Sequence, residues 1–236
     1  MNNLNNLIKQ IESLNPGKNI LSVFDSSFKR YGMVYTDFKV DDLMKYIESN
    51  NIVKDEIVYI ADIPEMRKEL SAQLDPIINT IYAGLDVQVG VCYGKNNALN
   101  ALEYHQGSEV YIVGEDMIML LGSDEDIKWP EGTYDSSLIK FFYTPKGTVI
   151  ELKGGCLHYA PVNVYEKKGF NVIVSLLKNT NTPLDFKIGN NFGNNFKDKL
   201  LIAKNSWFIA HPEFKAAKES GWHLGINGEN FVFKTL

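Results

Sequence analysis

The sequence predicts a mainly β fold, a sandwich or barrel, flanked by mixed α/β segments at both ends. Two observations carry this. From residue 77 onward, short β-prone runs recur at 77–83, 86–93, 99–105, 108–113, 116–122, 138–144, 147–152, 156–164 and 170–176. Gly, Asn, Asp and Pro punctuate them, as at Gly94-Lys95-Asn96-Asn97, Gly114-Glu115-Asp116, Pro145-Lys146-Gly147 and Gly154-Gly155. Many short strands at such spacing belong to sandwiches and barrels. The intervals are too short for repeated parallel crossovers through helices.

The flanking elements follow in order. Leu4, Leu7, Ile8, Ile11 and Leu14 keep helical spacing, so residues 3–14 form an amphipathic helix that Asn15-Pro16-Gly17 ends. Its lone Lys9 is too little charge for a membrane-surface helix, which leaves docking on the domain or on a partner subunit. Residues 20–24 and 31–40 are extended around a turn at Asp25-Ser26-Ser27. A short helix over 40–47 takes Asp41 as a cap, 56–61 is a strand, and 63–74 is a helix with Pro64 in its first turn. After Leu177 the chain is rich in Asn, Gly and Lys to about residue 197, as a surface arm is. Lys199 to Phe208 reads as helix or strand, and 228–236 alternates like a terminal strand. Absent repeats and low-complexity linkers, the 236 residues are expected to form one domain: an N-terminal extension 1–76, a barrel core 77–180 and a C-terminal arm 181–236.

Composition narrows the function. Apolar residues make up 44%, enough for a proper core. A net charge of −5 disfavours nonspecific nucleic-acid binding, which needs a basic surface. The two cysteines, Cys92 and Cys156, form no CxxC motif and are expected as buried free thiols in a reducing cytosol. Neither a signal peptide nor an apolar run of ~20 residues is seen, so the expected location is the cytoplasm, away from membranes. P-loop, GxSxG and Rossmann glycine signatures are missing.

The chemistry concentrates at Glu103-Tyr104-His105-Gln106-Gly107-Ser108-Glu109. Alternate strand residues share a face, so Glu103 and His105 project together, and Glu109 joins them if the strand continues across Gly107. His158, from a later strand, adds a second imidazole. With four histidines in the whole chain, this clustering outweighs a reading as solvated strand charges. Unpaired carboxylates inside a barrel are costly, and a divalent cation relieves that cost. Mixed nitrogen and oxygen donors suit Zn, Mn, Fe or Ni. Tyr111 shares the parity of Glu109, and Glu151 and Lys153 share a parity before His158. Gln88 lies on the less apolar parity of 86–93. Glu103, Tyr111 and Lys153 are therefore candidate acid–base groups, and Gln88 and Glu151 candidate substrate contacts. His211 and His223 have no carboxylate at ligand spacing and are expected to be packing residues.

The two segments together resemble the motifs of the cupin superfamily. The first motif there has His-x-His, a later Glu and a later Gly; here it is Glu103-x-His105-x-x-x-Glu109 with Gly114 or Gly122. The second has Pro-x-Gly and then His; here it is Pro145-x-Gly147, His158 and Asn163. Glu103 replaces the first His, and His158 stands farther past Gly147 than usual. The stretches Asn100–Val110, Leu157-His158-Tyr159-Ala160-Pro161, Phe28-Lys29-Arg30-Tyr31-Gly32 and Asn205-Ser206-Trp207 are similar to an uncharacterised family of bacterial cupin-like proteins associated with carbohydrate use. The resemblance implies a double-stranded β-helix, or jelly-roll barrel, with a divalent metal held by Glu103, His105, Glu109 and His158. A metal-dependent isomerase, epimerase or lyase for a sugar, sugar phosphate or sugar acid fits this. A non-catalytic sugar-binding or regulatory protein is the alternative. The first helix's apolar stripe and the edge strands suggest a homodimer.

Overall fold

The computed structural model describes residues 2–50, 53–188 and 196–236. Along the chain, α1 (Asn2–Leu14), β1 (Ile20–Ser22), β2 (Gly32–Tyr35), α2 (Asp41–Ser49), β3 (Val58–Ile60), α3 (Pro64–Glu69) and α4 (Ser71–Tyr82) come first. The barrel strands follow: β4 (Val87–Gly94), β5 (Ala101–Tyr104), β6 (Glu109–Val113), β7 (Met117–Ser123), β8 (Tyr134–Asp135), β9 (Lys140–Thr144) and β10 (Val149–Leu152). Then come β11 (Cys156–Leu157), β12 (Val162–Asn163), β13 (Phe170–Leu177), β14 (Leu201–Ala203), β15 (Ser206–Ala210), α5 (Lys215–Ser220) and β16 (Ile226–Asn227).

The strands form a jelly-roll barrel of two facing sheets. One is antiparallel with the order β2-β10-β6-β13-β4-β3. The other runs β1-β9-β7, with β11 and β12 both on the free edge of β7. The hairpin β14-β15 pairs with β5. A backbone bridge between Glu103 and His158 joins β5 to the chain leaving β11, with N···O distances of 2.6 and 2.9 Å.

Strand alternation sorts the side chains into layers. Val113, Met119, Leu121, Phe142, Ile150, Val172 and Val174 fill the interior between the sheets. Their neighbours Val110, Ile112, Val149 and Ile173 face outward beneath α2, α3 and α4. On the opposite sheet, Ile118, Leu120, Phe141 and Tyr143 pack outward with Ile8 and Ile11 of α1 and with Phe233. α1 therefore docks on its own barrel, held at its end by Asn15, whose side chain exchanges hydrogen bonds with the backbone of Lys234.

Several elements differ from expectation. Residues 77–83 are not a strand: Leu74, Ile77, Ile78 and Tyr82 fall on one helical face and are buried as part of α4. A continuous apolar run carries no period by itself, and the open sheet face beneath supplied the packing that decided it. Val40, not Asp41, is the N-cap of α2, without a side-chain cap bond. Asp41 sits inside the first turn, where a carboxylate complements the helix dipole. The ambiguous 199–208 segment is the β14-β15 hairpin behind a short 3-10 turn. The tail 228–236 is no regular strand; it makes a single bridge, Ala98 to Val232. Residues 189–195 of the expected surface arm lie outside the described residues. Among the described residues, no helix is long and apolar enough to cross a membrane.

Candidate metal centre

β5 sets the first two side chains. Leu102 and Tyr104 point into the outer apolar cluster, so Glu103, and His105 just past the strand end, point the other way, inward. Glu109 arrives differently from the expected unbroken parity. The chain turns at Gly107 (φ +102°), a left-handed position that favours glycine, and crosses to the facing sheet, where Glu109 opens β6. His158 is delivered by the Gly154-Gly155 turn, where the Gly155 N–H donates to the His105 carbonyl at 3.0 Å. It then pairs, backbone to backbone, with Glu103. The four residues come together from both sheets.

The contacts are short. His158 Nε2 lies 2.7 Å and His105 Nε2 3.5 Å from Glu109 Oε2. His105 Nε2 is 4.0 Å from Glu103 Oε2. Ligand atoms of Glu103, His105 and His158 all lie within 4.8 Å of one another. Ligands about 2.1 Å from a common ion would sit about 3.0–3.4 Å apart, so modest closure brings this set into one coordination sphere. Glu109 is not part of that set, but it is the nearest carboxylate to both imidazoles.

Backbone carbonyls orient both imidazoles. His105 Nδ1 contacts the Asn205 carbonyl at 2.7 Å and His158 Nδ1 the Cys156 carbonyl at 2.9 Å. A carbonyl can only accept, so each imidazole carries a proton on Nδ1 and directs Nε2 into the cluster. His105 Nε2, His158 Nε2 and Glu109 Oε2 are buried with no partner outside the cluster; His158 Nε2 and Glu109 Oε2 face each other at 2.7 Å as an ion pair. Three such atoms facing one point are costly unless an ion satisfies them. The residues thus fit a divalent cation.

Without an ion, these groups share charge. Burial alone would depress the His158 pKa, but Glu109 beside it overrides this and raises it to about 9. Burial would likewise raise the Glu109 carboxyl, yet His158 and His105 hold it below the usual carboxylate range. Burial, with Glu109 adding to it, keeps the Tyr111 phenol protonated.

A cavity of about 250 Å³ opens above the cluster, with Glu103 and Glu109 in its floor. Tyr111 lines it from β6. Gln88 points inward from β4 but is tied to the Thr180 carbonyl at 2.9 Å and to Tyr59 Oη at 3.2 Å, behind the wall. Glu151 and Lys153 are not brought to the cluster. On β10, Ile150 and Leu152 occupy the interior parity. Glu151 therefore lies on the outer face, bonded to Tyr35 and Ser108, and Lys153 donates to the Lys29 carbonyl. Cys92 and Cys156 are free thiols, and His211 and His223 bond backbone carbonyls of Gly228 and Gly132.

Sequence reasoning missed the supports. Ser206 Oγ donates to Glu103 Oε2 at 3.1 Å, and the Asn205 carbonyl orients His105. Asn205, at φ +55°, also bonds Gln106 through its side chain. The signal was an Asn-Ser pair at a hairpin turn. Tyr159, Phe208 and Trp222, which wall the cavity, gave no local signal; aromatic residues distant in sequence meet only in the fold.

Fold and site together define a jelly-roll protein with a buried cluster of two histidines and two glutamates. The chain belongs to the family described as Domain of unknown function (DUF4867), whose model matches residues 20–231. No curated protein matches it in sequence. Among solved structures it is similar to acireductone dioxygenase from Bacillus anthracis, solved with a cadmium ion in its active centre (10% identity, 59% of this chain and 85% of that one, TM-score 0.30). It is also similar to SnoN, a non-heme alpha-ketoglutarate dependent epimerase of nogalamycin biosynthesis (10%, 73% and 83%, TM-score 0.35). Vicilin from hazelnut, Corylus avellana, is a third (8%, 76% and 43%, TM-score 0.34), and the chain spans less than half of its length.

Proposed function

We propose that this chain is a metal-dependent enzyme acting on a small polyhydroxylated substrate, as an isomerase, epimerase or lyase. The observation that carries the reading is the convergence of His105 Nε2, His158 Nε2 and Glu109 Oε2, buried and with no partner outside the cluster. These three are the proposed ligands for Zn, Mn, Fe or Ni, and Glu103 stands beside them unligated. When bound, such an ion supplies Lewis-acid polarisation to substrate oxygens.

The remaining chemistry belongs to the chain. Glu103 is the most accessible of the four, with 20% of its side chain exposed, and its second oxygen is free of Ser206. We assign it the base that takes a proton from the substrate carbon and returns it to the same or the neighbouring carbon. Tyr111, held protonated, is the proposed donor. Mostly apolar walls flank that transfer. The walls would equally suit a non-catalytic sugar-binding protein, and turnover separates the two. Protein loaded with Mn²⁺ should exchange substrate C–H for deuterium in heavy water, and Glu103→Gln should lose the exchange while keeping the substrate bound. Binding without exchange in the wild type favours the binding protein.

A homodimer belongs to the same proposal, through the sheet edges rather than α1, whose stripe is used internally. Light scattering that returns 26.7 kDa removes it.

A further inference from the structure

The walls of the cavity limit what can enter. Its volume of about 250 Å³ lies below the roughly 300–1,000 Å³ of sites for drug-sized ligands, so it takes a molecule of monosaccharide size. Tyr159, Phe208 and Trp222 form one aromatic wall, with Trp222 against Phe208 at 4.7 Å between centroids and Tyr159 against Phe208 at 5.7 Å. Tyr159 and Trp222 are only half-buried, which leaves ring surface open to the cavity. The charged groups lining it are Glu103 and Glu109.

Phosphate recognition needs Arg, Lys or free backbone amides. Among the described residues lining the cavity there is neither Lys nor Arg, and residues 189–195 contain none by sequence. Lys204, adjacent to the lining residue Ala203, is already paired with Asp185 at 2.8 Å. The amides beside Asn181 are also spent: Thr180, Asn181 and Thr182 donate to the carbonyls of Leu177, Lys204 and Asn179.

We propose that the site takes an uncharged polyol or sugar, rests its C–H face on Trp222, and rejects the phosphorylated counterpart. Ring C–H groups and apolar carbon match the aromatic wall, while the hydroxyls turn toward the carboxylate floor. A divalent ion at the floor is already neutralised by the two carboxylates, so a phosphate in this apolar setting would find no further counter-charge. The inference rests on the metal-dependent reading of the same site.

The test is isothermal titration of the full-length, Mn²⁺-loaded protein. D-xylose, D-fructose and D-mannitol are compared with D-xylulose 5-phosphate and D-fructose 6-phosphate. At least one neutral compound should bind about tenfold or more tighter than either phosphate. Trp222→Ala should weaken that binding by about tenfold or more with metal content unchanged, and Trp222→Tyr should restore most of it. Phosphates that bind as tightly as the neutral compounds, a full set of neutral compounds that fails to bind, or a Trp222→Ala variant of unchanged affinity would overturn the inference. Metal content measured on the same samples separates the two readings. Neutral binding in a protein that takes up no metal sinks the metalloenzyme and spares this proposal. Metal uptake with a preference for phosphates does the reverse.

Discussion

His105 and His158 reach the interior in the same way, each giving its Nδ1–H to a backbone carbonyl and directing Nε2 into the cluster. His158→Ala removes one such donor and leaves the Glu109 carboxylate buried beside a single imidazole. Metal affinity should fall by more than about 100-fold, beyond the usual loss from an outer-shell change. The variant should still fold, since the interior aliphatics are untouched; equilibrium dialysis with Mn²⁺ and circular dichroism check both. The pH dependence follows from the same pair. The His158 pKa is raised from 6.5 to about 9, so its contribution to metal-free stability is full below 6.5 and lost as pH rises through about 9. The Glu109 carboxyl is lowered from 4.5, so its contribution is present above 4.5 and lost on acidification. A metal must displace the His158 proton, so the melting shift caused by Mn²⁺ should grow between pH 6.5 and 9. A shift that shrinks over this range contradicts the assignment. At this scale the sequence was informative about Glu103 and His105, because strand parity is local. It misjudged how Glu109 arrives, because Gly107 ends one strand and the facing sheet begins the next. It could not see Asn205 and Ser206, whose roles depend on a hairpin about a hundred residues away.

Elements that cover the sheets matter to the site indirectly. α4 buries Leu74, at 1% exposure, against the outer face of the six-stranded sheet, whose inner face carries Glu109 and Tyr111. Leu74→Ala should cost about 2–5 kcal/mol by urea denaturation. Metal stoichiometry in the folded fraction should be unchanged. A loss of stoichiometry without a loss of stability would show that α4 acts on the site rather than on the sheet. The strand runs of the barrel were legible because Gly, Asn and Pro mark their ends. Residues 77–83 were not, since an apolar run buried on a sheet looks the same as helix or strand. The helical spacing of Leu74, Ile77, Ile78 and Tyr82 runs on across Pro76, past residue 74, where the sequence suggested the helix would end. In the tail, Phe231 and Phe233 alternate as a strand would and pack on Phe141, but their backbones bond only Leu99 and Asn97, across the single bridge between Ala98 and Val232.

For the whole molecule, the centre links the two sheets: Glu103 and His105 lie at β5 on one side, and Glu109 begins β6 on the other. An ion bound only by the folded chain stabilises it by about 2.7 kcal/mol at 100 times its dissociation constant. Thermal unfolding in saturating Mn²⁺ should show a clear rise in midpoint that His158→Ala abolishes. An equal rise in that variant would place the binding elsewhere. The most direct test of the centre is anomalous diffraction from a crystal grown with Mn²⁺. One peak should stand at about 2.0–2.3 Å from His105 Nε2, His158 Nε2 and Glu109 Oε2. A map with no anomalous density between those three atoms, at full Mn²⁺ saturation, contradicts the metal centre and the function built on it.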